Sequence, residues 1–420
     1  MSILLLHLAL AGLLLWGTRF WRIFGSHSWL ILLLLAIRFA CGIWFTEGYA
    51  KRYGGGDMHG YLHDARLLAE VADEAPVDFI RLFAGVEPES DATVEKLNGS
   101  KIWIDRGYNP WFNDGRNLIR IHALIALTSN GNPLVHLVWV NLLAVFGFVF
   151  LLRAFFPDKV PVWASASMIM PNALVWTTML LKEHLLLLGM GMVLYSCMRL
   201  AKDGKKVFGL FGVGATLMIC FKSYWFFMLL PGLAVWVFSS GKSIAGRHVF
   251  SAYLVSALLL LLLSAGHIIP NIPEMLAGQQ RNAWRLAVYS GAGSVLSPIV
   301  FSPDWLSILR HTPEALAVAL MQPLPKSIND VAMVFFLENL LFPALITALV
   351  FRRTRLQSLF TPLHSISIIS GFSMIAISAL TMPVAGTLIR FRLPGLLLVL
   401  LSLAATYHQS TTRSAAPLHS

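Results

Sequence analysis

Residues 254–263 and 393–405 contain no ionisable side chain, and similar apolar blocks recur along the chain. A helix that crosses a bilayer needs roughly 20 predominantly apolar residues. Blocks of this kind, unlike a stripe at helical spacing, leave no polar face to meet water. Composition agrees. The 420 residues are 57% hydrophobic and 13% charged, with a mean hydropathy of +0.69, whereas soluble domains are about 25% charged. The expected fold is all-α and polytopic, with about eleven transmembrane helices.

Hydrophobic length and loop charge place the spans at 3–16, 28–45, 133–155, 160–180, 184–200, 207–221, 223–238, 249–269, 331–350, 359–381 and 393–407. Basic residues cluster at alternate connections: Arg19/Arg22, Arg153/Lys159, Lys202/Lys205/Lys206, Lys242/Arg247 and Arg352/Arg353/Arg355. Short loops rich in Lys and Arg mark the cytoplasmic side, so the N-terminus is expected outside and the C-terminus inside. The same loops account for the net charge of +11, and no nucleic-acid partner is inferred from it. The organisation expected is two N-terminal spans (1–46), an outer loop (47–132), a membrane block (133–269), a second outer loop (270–330) and a C-terminal membrane block with a short tail (331–420). The large first outer loop should contain juxtamembrane helices, including an amphipathic element at 117–128 lying along the interface. Cys41, Cys197 and Cys220 fall in apolar stretches without metal spacing and read as buried packing residues. No basic stretch precedes the first apolar run, so no cleavable signal peptide is expected.

Several ionisable residues fall on the predicted outer side. Gly54, Gly55 and Gly56 allow a sharp turn directly after a span and deliver Asp57 to the start of a helix, where Asp also serves as an N-cap. Tyr61 and Asp64 follow at helical spacing. Lys182 and Glu183 interrupt an apolar hairpin, Lys222 interrupts another apolar run, and Glu338 lies within a span. Ionisable groups inside spans are costly and mark functional sites by default. Arg390 and Arg392 stand at the outer edge of the last span, where an anionic ligand such as a lipid phosphate explains them most simply. Asp57, His59, His63 and Asp64 occupy eight residues, and the shared helical face of the two histidines leaves a divalent metal open. No other cofactor is read. An acid that takes a proton, ringed by cations, fits glycosyl transfer from a lipid phosphate.

These residues, in this order, resemble the GT-C superfamily of integral membrane glycosyltransferases. The likeness is to bacterial relatives of dolichyl-phosphate-mannose protein mannosyltransferases and of lipid A aminoarabinose transferases. It rests on Gly56-Asp57 with Tyr61 and Ala65, on Gly131-Asn132-Pro133-Leu134, on Pro171 and Trp176 with Lys182-Glu183, and on Arg390, Arg392 and Pro394. It covers about 53–200 and the last span. An additional span precedes the first helix of the family pattern, and the first acidic position lacks an acidic doublet. The resemblance implies a polyprenyl-phosphate-sugar donor and a glycan, lipid or protein acceptor. It further implies Asp57 as general base and Glu183 at the second acidic position. Arg390, Arg392, Lys222 and Lys182 would lie around the donor phosphate. The expected place is a bacterial inner membrane, with the site facing the periplasm or exterior. A polysaccharide polymerase or ligase, and a flippase of lipid-linked sugars, remain alternatives.

Overall fold

The computed structural model describes residues 2–103, 113–238, 246–325, 332–351 and 361–415. The basic positions Lys242, Arg352, Arg353 and Arg355 lie outside them. The described residues are 82% helical. They contain no β-strand, only one isolated antiparallel bridge between Val295 and Val384. The chain divides into two compact units, residues 1–196 with 206–226, and residues 197–205 with 227–420.

The first unit contains α1 (Ser2–Thr18), α2 (Trp29–Tyr53), α3 (Gly56–Glu74), α4 (Pro76–Phe83), α5 (Asp91–Asn98), α6 (Asp114–Ser129), α7 (Pro133–Phe155) and α8 (Pro171–Thr178). It also holds most of α9 (Glu183–Asp203) and the first part of α10 (Phe208–Phe238). The deeply buried α7 is the centre of this unit. Its start is fixed locally: Pro133 occupies the first turn, and the Asn132 side chain accepts from the Leu134 amide at 3.0 Å, the cap that such a start favours. Helices α1 and α2 pack on α7, with Phe20 edge-on to Phe146 and Phe150. Helix α9 approaches so closely that a Cβ on Gly191 would stand 2.5 Å from the Gly147 carbonyl.

The second unit contains α11 (Gly246–Ala265), α12 (Ile272–Tyr289), α13 (Trp305–Met321), α14 (Ala332–Asn339), α15 (Leu341–Phe351), α16 (Pro362–Thr381) and α17 (Ala385–Ala415). Helices α16 and α17 form a hairpin in contact at Gly371 and Gly395, where an added Cβ would meet the opposite carbonyl at 2.8 or 2.5 Å. The 270–325 segment docks on this hairpin. Gln280 donates to the carbonyls of Ile299 and Leu380, and Leu296 N donates to Pro383 O.

Among the described residues, seven helices are long and apolar enough to cross a membrane, or eight if the bent pair α8–α9 counts as one span. The chain is thus a multi-pass helical membrane protein with fewer such helices than the eleven expected. The reasons are local. The expected span 160–180 is a 3-10 turn at Val162–Met168 followed by α8, because Pro171 supplies no N–H to continue the turn. Helix α8 then meets α9 at 111°. The expected spans 207–221 and 223–238 are two parts of α10, joined at Lys222, whose φ of −155° and ψ of 79° leave the helical region. Helix α1, at 17 residues, is shorter than a typical crossing helix.

Candidate functional site

Asp57 is placed by backbone conformations that only glycine adopts easily. Gly54, Gly55 and Gly56 have φ of +63°, +102° and +51°. A Cβ on Gly55 would stand 2.6 Å from the His59 ring, and one on Gly56 would stand 2.7 Å from Tyr49. The turn ends α2 and starts α3, with Gly55 rather than Asp57 at the N-cap. Asp57 stands in the first helical turn, exposed, where the unsatisfied amides of a helix start favour a carboxylate. Its neighbours Met58 and His59 line a cavity of about 370 Å³ with Ile43, Thr46, Glu47 and Ala50 of α2, Leu62 of α3, Pro133, Leu134 and Leu137 of α7, and Leu180. The wall is apolar except for Thr46, Glu47 and His59. His59 Nδ1 donates to Gly55 O at 3.0 Å, which places the ring's proton on that nitrogen.

Asp64 and Tyr61, the candidates for substrate binding that follow Asp57 on α3, are both buried. Asp64 is fully buried and accepts from the amides of Lys101, Ile102 and Trp103 at 2.7–2.8 Å, with His63 Nδ1 at 3.0 Å. A carboxylate so engaged ties the 101–103 segment to α3. The buried Tyr61 ring faces Gly115 at the start of α6. The metal left open at Asp57, His59, His63 and Asp64 finds no donor set: among the described residues no group of three or more His, Cys, Asp or Glu converges. The Gly131-Asn132-Pro133-Leu134 motif is likewise a packed turn. Gly131 has φ +64°, and the Arg66 guanidinium donates to its carbonyl at 2.7 and 3.1 Å.

The start of α6 gathers several of the other polar residues of this unit. Asp114 pairs with Lys182, and Glu183, buried, opens α9 beside that lysine. Asn117 donates to Cys220 O at 3.0 Å, two residues before the kink at Lys222. The Lys222 ammonium sits 5.1 Å from the Trp225 ring and 3.5 Å from the Tyr224 hydroxyl. Arg116 and Arg120 lie over Trp103 at 5.1 and 5.2 Å. Burial, and then the neighbouring Arg116, lower the Arg120 pKa to about 10. The amphipathic element expected at 117–128 is α6, but Arg120 and His122 lie on its buried face.

In the second unit the expected arginine pair separates. Helix α17 begins at Ala385, eight residues before the expected start, so Arg390 and Arg392 are helical. Residues two apart point to different sides of a helix. Arg390 is half-buried, with its guanidinium 6.0 Å from the Phe391 ring. Arg392 is buried and engaged by the chain itself: Nη1 donates to Ala319 O and Gln322 O, and Nη2 to Asn339 Oδ1 at 2.7 Å. The carbonyl of Ala319 needs this donor because the residue four further on, Pro323, has no N–H. Glu338, buried on α14, contributes favourable charge to Arg392. Through these acceptors Arg392 ties α17 to the end of α13 and to α14.

Two features escaped the sequence reading. Arg38, in the middle of α2, is fully buried and donates to Met168 O at 2.6 Å, to Thr177 O at 3.2 Å and to Thr177 Oγ1 at 2.7 Å. Its signal was a single guanidinium within the apolar run 29–46. His122 and His136 meet with their Nδ1 atoms 2.9 Å apart in the interior. Burial, then nearby His184, push His122 down to about 3. No spacing in the sequence brings His122 and His136 together. Of the three cysteines read as buried, Cys197 is buried, while Cys41 and Cys220 are partly exposed.

Comparison with known proteins finds no family model, no curated protein and no solved structure that matches the chain.

Proposed function

We propose that this chain is a membrane glycosyltransferase of GT-C type that takes a sugar from a polyprenyl-phosphate carrier. The observation that carries the reading is the exposed Asp57 carboxylate, held by a glycine turn next to Met58 and His59 of an apolar cavity bounded by α2 and α7. A base at the mouth of an apolar cavity suits a substrate with a long hydrocarbon and a polar reacting end. In the proposed step an acceptor hydroxyl or amine attacks the anomeric carbon. Its proton passes to the Asp57 carboxylate, the bond from anomeric carbon to phosphate oxygen breaks, and the phosphate leaves with that electron pair. One displacement inverts the anomeric centre. Lys222 and Lys182, in the same unit as Asp57, are the cations proposed for the departing phosphate, Lys182 through its pair with Asp114. Glu183 keeps the second acidic position. Tyr61 and Asp64 position α3 beside α6 and the 101–103 segment. The proposed setting is a bacterial inner membrane with Asp57 on the periplasmic or outer side, and the proposed acceptor is a glycan, lipid or protein.

The Asp57→Asn variant, reconstituted in bilayers, should transfer sugar roughly a hundred- to ten-thousand-fold more slowly, with unchanged melting. Normal turnover would remove Asp57 as base and favour a polymerase or ligase. Mass spectrometry of lipid that copurifies with the wild-type protein should find a polyprenyl-phosphate sugar.

A further inference from the structure

Between α1 and α2 the chain makes a compact turn that the glycosyltransferase reading does not use. Arg19, in the left-handed region at φ +56°, and Arg22 are both exposed there. The Arg22 guanidinium lies 4.6 Å over the Trp21 ring, which stacks on Trp16 with centroids 5.0 Å apart. Arg153, in the last turn of α7, lies 5.1 Å over Phe20. Two consecutive rings of the turn, Phe20 and Trp21, thus each carry a guanidinium, and Arg19 directly precedes them. Among the described residues none of the three forms an ion pair, whereas Arg81, Lys96, Lys182 and Arg199 all do. Stacking on aromatic faces holds the cations without neutralising them.

We propose that this patch binds the headgroup of an anionic phospholipid. Two observations select a lipid over a soluble anion. Trp16 and Trp29, on either side of the turn, are 66% and 59% exposed, and exposed Trp is characteristic of the level where hydrocarbon meets headgroups. Leu6 and Leu13, seven residues apart on the helix that leads into the turn, are exposed and suited to acyl chains. One amphiphile satisfies both halves: a phosphate among guanidinium groups, which arginine matches in bidentate geometry, and chains along the leucines. The site is independent of the chemistry proposed at Asp57.

The test uses the full chain in nanodiscs of equal phosphatidylcholine and phosphatidylglycerol, followed by native mass spectrometry of the retained lipid. Wild type should retain phosphatidylglycerol in preference. Arg22→Gln and Arg153→Gln should each lower that preference about fivefold, corresponding to about 1 kcal/mol per surface arginine. Arg247→Gln, which removes an equal charge in the second unit, should leave it unchanged. Because Arg22 is exposed, its variant reads the site without disturbing the core. Equal retention by wild type and Arg22→Gln, an equal loss in Arg247→Gln, or displacement of the lipid by inorganic phosphate would each overturn the proposal.

Discussion

In the first unit Arg38 reaches from α2 to the carbonyl of Met168; in the second, Arg392 reaches from α17 to the carbonyl of Ala319. Both carbonyls end a helical turn whose next donor is missing, because Pro171 and Pro323 stand where the N–H should be. An unsatisfied carbonyl in an apolar interior costs several kcal/mol, and a guanidinium, with five donors in a rigid fork, can satisfy more than one helix end at once. The two sites differ in redundancy. Gln322 O receives a second hydrogen bond from Asn339 Nδ2 at 3.1 Å, whereas Arg38 is the only donor found for Met168 O among the described residues. A buried arginine in a membrane helix is therefore not by itself the mark of an anionic ligand, and the ends of broken helices have to be examined first.

The comparison yields its largest effect at Arg38. Arg38→Met should lower stability in nanodiscs by about 3 kcal/mol or more, since two carbonyls and a hydroxyl lose a charged donor. Arg392→Met should cost about 2 kcal/mol, because Asn339 still serves Gln322. Equal losses, read by thermal melting, would break the distinction. Arg→Lys should rescue little at either position, as an ammonium lacks the planar fork.

The helix contacts rank next. Gly147→Ala in the first unit would place Cβ 2.7 Å from Leu188 N, and Gly395→Ala in the second 2.5 Å from Gly371 O. Both neighbours are backbone and cannot rotate away, so each variant should cost about 1–3 kcal/mol by overpacking. A neutral melting shift in either would show that those helices can separate freely.

Acid should act on the first unit through His122. An unfolded histidine takes its proton near 6.5, while the folded ring resists until about 3. Between those values the unfolded state binds more protons, so stability should fall as pH is lowered from 6.5. His122→Asn should flatten that slope in a pH series of melting temperatures. The smallest effect is expected at Asp78, where the Ser90 hydroxyl, the Glu89 amide and Thr93 hold the carboxyl below its ordinary 3.8. That stabilisation is complete above 3.8 and is lost as pH falls below it, so loosening of residues 84–90, followed by hydrogen exchange, should begin only there.

Much of the helical outline is legible along the chain. Apolar blocks locate α2, α7, α11 and α16, the Pro133 start of α7 is a local signal, and the three glycines before Asp57 announce the turn that places it. Hydropathy places the start of the last helix at 393, whereas α17 begins at Ala385, so Arg390 and Arg392 are helical and point to different sides. The break at Pro171 falls inside the expected span 160–180, and Lys222 bends one helix where two spans are expected.

Hydrophobic length by itself determined that this chain is helical and multi-pass, because a bilayer admits few backbones other than self-satisfied helices. Only the tertiary structure decided which polar groups serve the fold. Arg38 and Met168 are 130 positions apart, and Asp64 finds its amides 37 to 39 positions downstream. Whether a buried charge faces a ligand or the end of its own chain's helix depends on partners that no local spacing brings together.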